Sequence, residues 1–190
     1  WRGVADRDEW VEAARRVAAA GGYLISLWGS DRRGGKEGML AVTAAYGLPG
    51  GLAWIDLLLP ESDPAYPDLA GIFPCAGRMQ RAAADLIGIV AGGGEDRRAW
   101  LNHGAWPANW FPLRRENSGA ETFPGRETTD YPFVQVSGDG VHEIPVGPVH
   151  AGIIEPGHFR FSVVGEKVLR LEERLGYVHK GIDKRFESFT

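Results

Sequence analysis

The chain has 190 residues, enough for one ordinary domain or two small ones. With 44% hydrophobic and 24% charged residues, its composition is that of a folded protein and excludes a disordered or fibrous chain. The formal net charge of −4 and the lack of a basic stripe argue against a nucleic-acid-binding protein. No apolar run approaches the roughly 20 residues of a membrane span.

The first third of the chain predicts a helix followed by a small sheet. Apolar residues recur at helical spacing within residues 8–20, and Gly21-Gly22 ends that helix. Glycine-rich turns separate three strand candidates: residues 23–28, 39–46 and 52–59. This order predicts an antiparallel meander with the helix packed on one face.

A second helix, an aromatic stretch and a polar stretch follow. Apolar residues at helical spacing predict the helix over residues 77–87. Residues 97–112 contain four large aromatic side chains: Trp100, Trp106, Trp110 and Phe111. Residues 116–130 are polar, contain glycine and proline, and lack periodicity, which is typical of a linker.

The last part of the chain predicts an extended segment and a β-hairpin. Residues 141–149 have an extended pattern, and residues 159–164 and 168–175 flank Gly165-Glu166, which is typical of a hairpin turn. A further helix is predicted to begin within residues 180–189. Because the chain starts at Trp1 rather than Met and ends inside this helix, we expect it to be a trimmed piece of a longer protein.

The predicted fold class is α+β, with a small mixed or antiparallel sheet and helices on one face. A linker and a short β-hairpin segment are expected to follow it. We therefore predict a first domain over residues 1–116, a linker over residues 117–131 and a second segment over residues 132–190.

Several cofactor motifs are missing from the sequence. Gly34-Gly35-Lys36 lacks the Ser/Thr and the upstream glycine of a phosphate loop, and no Gly-x-Gly-x-x-Gly opens a helix. Cys75 is the only cysteine, which excludes an internal disulfide and a four-thiolate iron–sulfur cluster within this chain. His142, His150 and His158 are spaced eight apart, which matches no short metal motif. We expect no nucleotide, flavin, cluster or metal to be bound by this chain alone.

A stretch from about residue 57 to 116 carries an ordered series of motifs: Leu58-Leu59-Pro60, Tyr66-Pro67-Asp68-Leu69, Asp85-Leu86-Ile87-Gly88-Ile89 and Trp110-Phe111-Pro112-Leu113-Arg114-Arg115-Glu116. The series resembles the small hydrophilic C subunit of bacterial NADH–quinone oxidoreductase, or respiratory complex I. That family also supplies the corresponding part of membrane-bound nickel–iron hydrogenases and formate hydrogenlyases. The segments Gln80-Arg81-Ala82 and Gly93-Gly94-Glu95-Asp96 depart from the family pattern, so the chain resembles a divergent branch.

A second stretch, from about residue 141 to 187, carries three more motifs: Gly147-Pro148-Val149-His150, Pro156-Gly157-His158-Phe159-Arg160 and His179-Lys180-Gly181-Ile182-Asp183-Lys184. They resemble the N-terminal opening of the complex I D subunit and of the nickel–iron hydrogenase-type large subunit, in a formate-hydrogenlyase-like form. Together the two resemblances cover roughly residues 57–187. Their order, small subunit and then large subunit, matches that of fused proteins.

The resemblance implies a structural part in a larger redox enzyme. We expect a non-catalytic peripheral-arm subunit of a complex-I-like NADH:quinone oxidoreductase, which positions iron–sulfur and quinone-site subunits at the cytoplasmic face of the cell membrane. Quinone and the iron–sulfur or nickel–iron centres would belong to the parent complex. Oxidoreductase turnover of the NADH dehydrogenase (quinone) type would need that complex, and the isolated chain would be inactive.

Two other interpretations remain open at this point. The chain is alternatively the N-terminal part of a fused membrane-bound nickel–iron hydrogenase or formate hydrogenlyase large subunit. A free-standing interaction module is the third interpretation. For both the complex-I-like subunit and the fused hydrogenase part, the expected partners are other peripheral-arm subunits. Such a chain would be associated with the membrane only through the complex.

The resemblance also implies roles for two residues. His150 matches a histidine placed against the quinone head group, where an imidazole can donate a hydrogen bond and then a proton. Asp183 matches an acidic residue that passes protons, although it is one methylene shorter than the usual glutamate. A backbone-bonded loop histidine and an ordinary charge pair at a helix start are the alternatives.

Docking to neighbouring subunits is predicted for five residues: Arg97, Arg98, Arg114, Arg115 and Trp110. Arginines on a surface are also often only solvated, and large aromatic side chains serve cores as well as interfaces. Both interpretations are kept for each of the five.

Overall fold

The computed structural model describes residues 1–125, 132–149, 152–153, 155–177 and 179–187. Its first group of elements consists of β1 (Arg2–Ala5), α1 (Arg7–Ala19), β2 (Tyr23–Arg32), β3 (Met39–Leu48), β4 (Gly51–Leu59), β5 (Ala65–Pro67), α2 (Ala76–Ile87) and β6 (Val90–Gly92). Its second group consists of β7 (Val141–Val149), β8 (Gly157–Val164), β9 (Lys167–Arg174) and α3 (Ile182–Phe186).

The helix α1 begins at a capping box. The Asp6 carboxylate accepts hydrogen bonds from two first-turn amides at 2.9 Å, and the Glu9 carboxylate accepts one from the Asp6 amide at 3.0 Å. These bonds satisfy donors that have no partner within the helix. Its buried face consists of Trp10, Ala14 and Val17. The helix predicted over residues 8–20 is confirmed, one residue earlier at each end.

The first sheet has the strand order β1-β4-β3-β2. The strands β2, β3 and β4 pair antiparallel, so the predicted meander is confirmed. The strand β1 was not predicted, and it pairs parallel with β4. Its four residues, Arg-Gly-Val-Ala, have little strand preference, so it is the pairing with β4 that defines the strand. The sheet is therefore mixed.

Both α1 and α2 contribute to one apolar core on a single face of this sheet. Alternate residues of β3 and β4 supply the sheet side of that core: Leu40, Val42, Ala44, Tyr46, Ile55, Leu57 and Leu59. Trp10 of α1 meets Tyr66 edge to face at 6.1 Å and donates its Nε1–H to the Pro67 carbonyl at 3.2 Å. The predicted α+β class, with helices on one face, is confirmed.

The other face of the sheet holds a buried carboxylate. The Asp56 side chain is 2% exposed and accepts hydrogen bonds from Arg2 at 2.7 Å, Arg32 at 2.9 Å and Thr43 at 2.5 Å. Burial by itself raises the pKa of Asp56, but the hydrogen bonds from Arg32, Thr43 and Arg2 outweigh it and hold that pKa at about 2. Ion pairs and hydrogen bonds to Asp56, rather than a packed helix, therefore stabilise this face of the sheet.

The helix α2 lies between two short strands, β5 and β6, which pair parallel with each other. The predicted helix over residues 77–87 is confirmed, whereas these strands of three residues each were too short to predict. The helix ends at Gly88, whose φ of 77° is left-handed. A Cβ there would lie 2.6 Å from the Phe111 ring, so only glycine fits the position.

The second sheet has the order β7-β8-β9 and is antiparallel throughout. The predicted hairpin is confirmed as β8 and β9, and the predicted extended segment adds β7 as a third strand. Phe133 lies between the guanidinium groups of Arg160 and Arg174, at 4.1 and 3.8 Å from its ring centre. The helix predicted within residues 180–189 is present as α3, although residues 188–190 lie outside the described part of the chain.

The start of the predicted linker contacts the first domain. The Asn117 side chain donates a hydrogen bond to the Phe111 carbonyl at 2.7 Å, and the Phe123 ring meets Trp110 at 4.9 Å. The division at residues 117–131 stays a prediction, because residues 126–131 lie outside the described part. Among the described residues, no helix combines the length and hydropathy that a membrane crossing requires.

Candidate functional site

A groove of about 850 Å³ lies between α2, the loop of residues 97–111 and the end of β9. We call it the arginine groove after five of its lining residues: Arg78, Arg81, Arg97, Arg98 and Arg174. Apolar side chains line the space between these arginines: Ala84, Val90, Ala99, Trp100, Phe111 and Leu175. Its volume lies in the range of natural ligand cavities.

Two side chains hold the irregular wall of the groove in place. The Asp85 carboxylate accepts hydrogen bonds from three consecutive amides, those of residues 100, 101 and 102, at 2.8, 2.6 and 3.1 Å. The Asn102 side chain bonds the Gly104 amide at 3.1 Å and the Trp106 carbonyl at 2.9 Å. A loop without helix or strand is thereby given partners for its backbone groups.

Trp100 forms the floor beneath two guanidinium groups. Arg81 lies 4.9 Å and Arg78 lies 5.7 Å from its ring centre. Arg81 also pairs with Asp96 at 3.1 Å, and Asp96 pairs with Arg98 at 2.6 Å. Hydrogen bonds from Arg98 hold the pKa of Asp96 at about 2, against the opposing effect of burial.

The second segment closes the far side of the groove. The His103 ring stacks on Tyr177 with 4.0 Å between ring centres, and Gly176 approaches the Trp100 carbonyl so closely that a side chain would collide with it. Trp106 meets the His179 ring at 5.9 Å. Burial lowers the pKa of both histidines. The groove is therefore built by both predicted parts of the chain.

The charge of the lining is unbalanced. Arg81 and Arg98 share Asp96, and Asp85, one of the two carboxylates of the lining, is already occupied by three amides. Arg78 and Arg97 are exposed, and no carboxylate of the described residues lies within salt-bridge distance of either. The groove is therefore a site of positive potential in a chain of negative net charge.

The predicted docking residues divide between two places. Arg97 and Arg98 line the arginine groove. Trp110 is half-buried beside it, 6.3 Å from the Trp106 ring. Asp183 is exposed in the first turn of α3, and His150 lies outside the described residues. The docking roles of Arg97, Arg98 and Trp110, the quinone contact of His150 and the proton transfer by Asp183 stay predictions.

Arg114 and Arg115 lie in a different cluster, which we call the inner network: Asp31, Arg33, Glu61, Arg114, Arg115 and Glu116. Arg114 is 7% exposed, donates to the Ile87 carbonyl at 2.5 Å and pairs with Glu61 at 2.8 Å. Its guanidinium is therefore engaged within the chain, and its docking role stays a prediction. Arg115 donates its amide to the Asp31 carboxylate at 2.9 Å and its Nε to the Asp31 carbonyl at 3.2 Å.

Arg33 is the centre of the inner network. It pairs with Asp31 and Glu61 at 2.6 Å each and also with Glu116. Burial raises the pKa of Asp31, but the hydrogen bonds from Arg33 and from backbone amides outweigh it and lower that pKa below its usual range. The network joins the end of β2 to residues 114–116 and so holds this loop against the first sheet.

The sequence did not predict three of the groove arginines. Arg78 and Arg81 lie three residues apart on α2, a spacing that places them on one side of a helix, and this was the available signal. Arg174 is distant in sequence and reaches the groove only because β9 ends there. Asp85 carries no motif that marks a loop-binding carboxylate.

The donor set does not fit an iron–sulfur cluster or a metal ion. Cys75 is exposed and single, whereas such clusters need four thiolates. Within the described part of the chain, no three His, Cys, Asp or Glu side chains converge as metal ligands would.

Comparison with known families identifies the first part of the chain. The model of the family described as "Respiratory-chain NADH dehydrogenase, 30 Kd subunit" matches residues 4–123. The chain belongs to this 30 Kd subunit family. The resemblance to the small hydrophilic subunit of complex I is thereby confirmed, and the match runs from within β1 through β6 and includes most of the lining of the arginine groove.

Curated relatives of this 30 Kd subunit family member extend the similarity to the second segment. It is 33% identical over 175 residues to formate hydrogenlyase subunit 5 and 34% identical over 173 residues to hydrogenase-4 component G, both of Escherichia coli (strain K12). Each match covers 88% of this chain. It is 26% identical over 145 residues, or 67% of this chain, to the C/D subunit of NADH-quinone oxidoreductase of Bacteroides fragilis.

The chain spans only about a third of the length of these relatives: 30%, 31% and 27% of them, respectively. A solved structure of the trypsin-resistant fragment of Nqo5 is 24% identical to it, with a TM-score of 0.44. That match covers 49% of this chain and 79% of the fragment.

Proposed function

We propose that this chain is a non-catalytic part of the peripheral arm of a complex-I-like or hydrogenase-like electron-transfer complex. The observation that carries the proposal is the family match over residues 4–123, which includes β2, β3 and β4 of the first sheet and the helices α1 and α2. In this role the chain holds neighbouring subunits, and the iron–sulfur, quinone or nickel–iron chemistry belongs to those neighbours. The complex would lie at the cytoplasmic face of the cell membrane.

The structure supports a holding role through the arginine groove. Its wall is fixed by Asp85 and Asn102, and its rim carries exposed charged side chains. In the inner network, in contrast, the arginines pair with carboxylates of the same chain and so stabilise the first domain. A rigid scaffold with one unbalanced surface is suited to docking another subunit.

A hydrogenase-type complex is the form of this proposal that the relatives favour. The chain is 33% and 34% identical to two hydrogenase or formate hydrogenlyase components over 88% of its length. Its identity to the C/D subunit of NADH-quinone oxidoreductase is 26% over 67% of its length. The NADH:quinone form stays the second candidate.

Affinity purification of the tagged protein from its native host tests the proposal. Membranes are solubilised in mild detergent, and co-purifying proteins are identified by mass spectrometry. We expect iron–sulfur subunits to be recovered with the tag, whereas a protein that elutes alone from membranes and cytosol would refute an assembly role. Two Cys-x-x-Cys pairs in the parent gene and hydrogen formation with a reduced viologen would select the hydrogenase form.

A further inference from the structure

We propose that the arginine groove binds an acidic segment of a partner protein, with carboxylates against Arg78 and Arg97 and an apolar side chain over Trp100. This inference rests on the proposed function, because it names the chemistry by which one neighbouring subunit is held.

Charge complementarity is the first argument. The groove presents five arginines, and Asp96 is shared between two of them, Arg81 and Arg98. Arg78 and Arg97 stand at the opening without a carboxylate of the described chain within salt-bridge distance. Guanidinium groups bind carboxylates in a bidentate manner, and that of Arg78 also lies 5.7 Å from the centre of the Trp100 ring. The missing counter-charge is therefore an anion supplied from outside.

The apolar lining is the second argument, and it favours a peptide over a simple anion. Phe111, Leu175 and Ala99 line the same space as the arginines, so an inorganic phosphate would leave most of the groove uncovered. A peptide can alternate carboxylates with apolar side chains. Nucleic acid is disfavoured because the net charge of −4 repels a phosphate backbone beyond the groove itself.

The fixed wall is the third argument. Asp85 and Asn102 already satisfy the backbone of residues 100–106, so the loop does not have to become ordered when a segment enters. A preformed site binds without the entropic cost of ordering its own loop. The groove is therefore ready to receive a flexible tail or loop of its neighbour.

Site-specific cross-linking tests which molecule occupies the arginine groove. Benzoylphenylalanine replaces Ala99, an exposed residue of the lining, in the full chain produced in its native host. After irradiation the cross-linked peptide is identified by mass spectrometry. We expect a peptide of a co-purifying subunit that carries several Asp or Glu side chains. A neutral or basic peptide, a lipid, a nucleic acid or no cross-link in an otherwise intact complex would overturn the inference.

Charge reversal tests the contact itself. In Arg78→Glu/Arg97→Glu we expect the yield of that cross-link to fall about tenfold, because two attractive charges become repulsive. Arg15→Glu/Arg16→Glu on the exposed side of α1 is the matched control and should leave the yield unchanged. Exchange of the cross-linked acidic residues for arginine in the partner should restore it. An unchanged yield in the groove variant overturns the inference.

The two proposals fail in different ways. If iron–sulfur subunits co-purify but the groove variants change nothing, the proposed function stands and the acidic-segment inference falls. If no such subunit co-purifies with the unmodified chain, the proposed function falls first.

Discussion

Two groups of arginines in this protein differ in how their charge is matched. In the inner network, Arg33 alone pairs with three carboxylates, and Arg114 is buried against Glu61 and a helix carbonyl. In the arginine groove, exposed Arg78 and Arg97 have no such partner among the described residues. Arginines with internal partners stabilise the fold, whereas arginines without them are available to another molecule.

Removal of the buried charge on the first sheet is expected to have the largest effect. Asp56→Asn removes the buried carboxylate between Arg2 and Arg32 and leaves Arg32 with only its 3.5 Å pair to Glu37, so we expect the free energy of unfolding to fall by about 3 kcal/mol. Urea denaturation followed by tryptophan fluorescence measures it. Asp63→Asn, which breaks an exposed pair with Arg7, should cost less than about 1 kcal/mol. Equal losses in the two variants would contradict the role of Asp56.

The wall of the groove gives the next largest expected effect. Asp85→Ala removes the acceptor of three amides, and we expect a loss of about 2 kcal/mol. Hydrogen exchange at residues 100–102 should become faster in the same variant. Glu173→Ala, a second carboxylate of the lining, is the control and should leave this exchange unchanged. Unaltered exchange in Asp85→Ala would mean that the loop is held by other contacts.

Acid should remove the contribution of Asp56 within a defined range. Its pKa of about 2 in the folded chain lies below the ordinary value of 3.8, so its contribution is complete above about pH 4 and is lost as the pH falls toward 2. The stability difference between the wild type and Asp56→Asn should therefore be constant from about pH 7 to 5 and shrink at lower pH. A difference that persists at about pH 2 would contradict this assignment.

The groove arginines are expected to matter least for stability. Arg78→Ala and Arg97→Ala should each change the free energy of unfolding by less than about 0.5 kcal/mol, because neither side chain has an internal ion pair in the described structure. Arg114→Ala is the comparison and should cost about 2 kcal/mol, since it leaves the Ile87 carbonyl without its donor and removes one of the two arginines bonded to Glu61. Thermal unfolding by circular dichroism measures all three.

The elements with strong local patterns could be predicted from the sequence. The helix α1 has a capping residue and a helical apolar face, and the meander has glycine-rich turns between apolar runs. The strands β1, β5 and β6 were missed because they have three or four residues and form through pairing partners distant in sequence. Local propensity cannot indicate such strands.

The candidate site was only partly predictable. Arg97 and Arg98 were chosen as docking residues, and they lie in the groove. A docking role is also predicted for Arg114, but this side chain is buried. Its bonds to Glu61 and to the Ile87 carbonyl could not be predicted, because both groups are distant from it in sequence. Arg174 joins the groove only through the packing of the second sheet against the loop, which no local pattern encodes.

The absent side chain at Gly88 leaves the space that the Phe111 ring occupies in the lining of the groove. An alanine there would place its methyl group 2.6 Å from this ring, so the ring would have to move and the lining would change shape, in addition to the strain at the helix end. The position of Phe111 in the groove therefore depends on glycine at position 88.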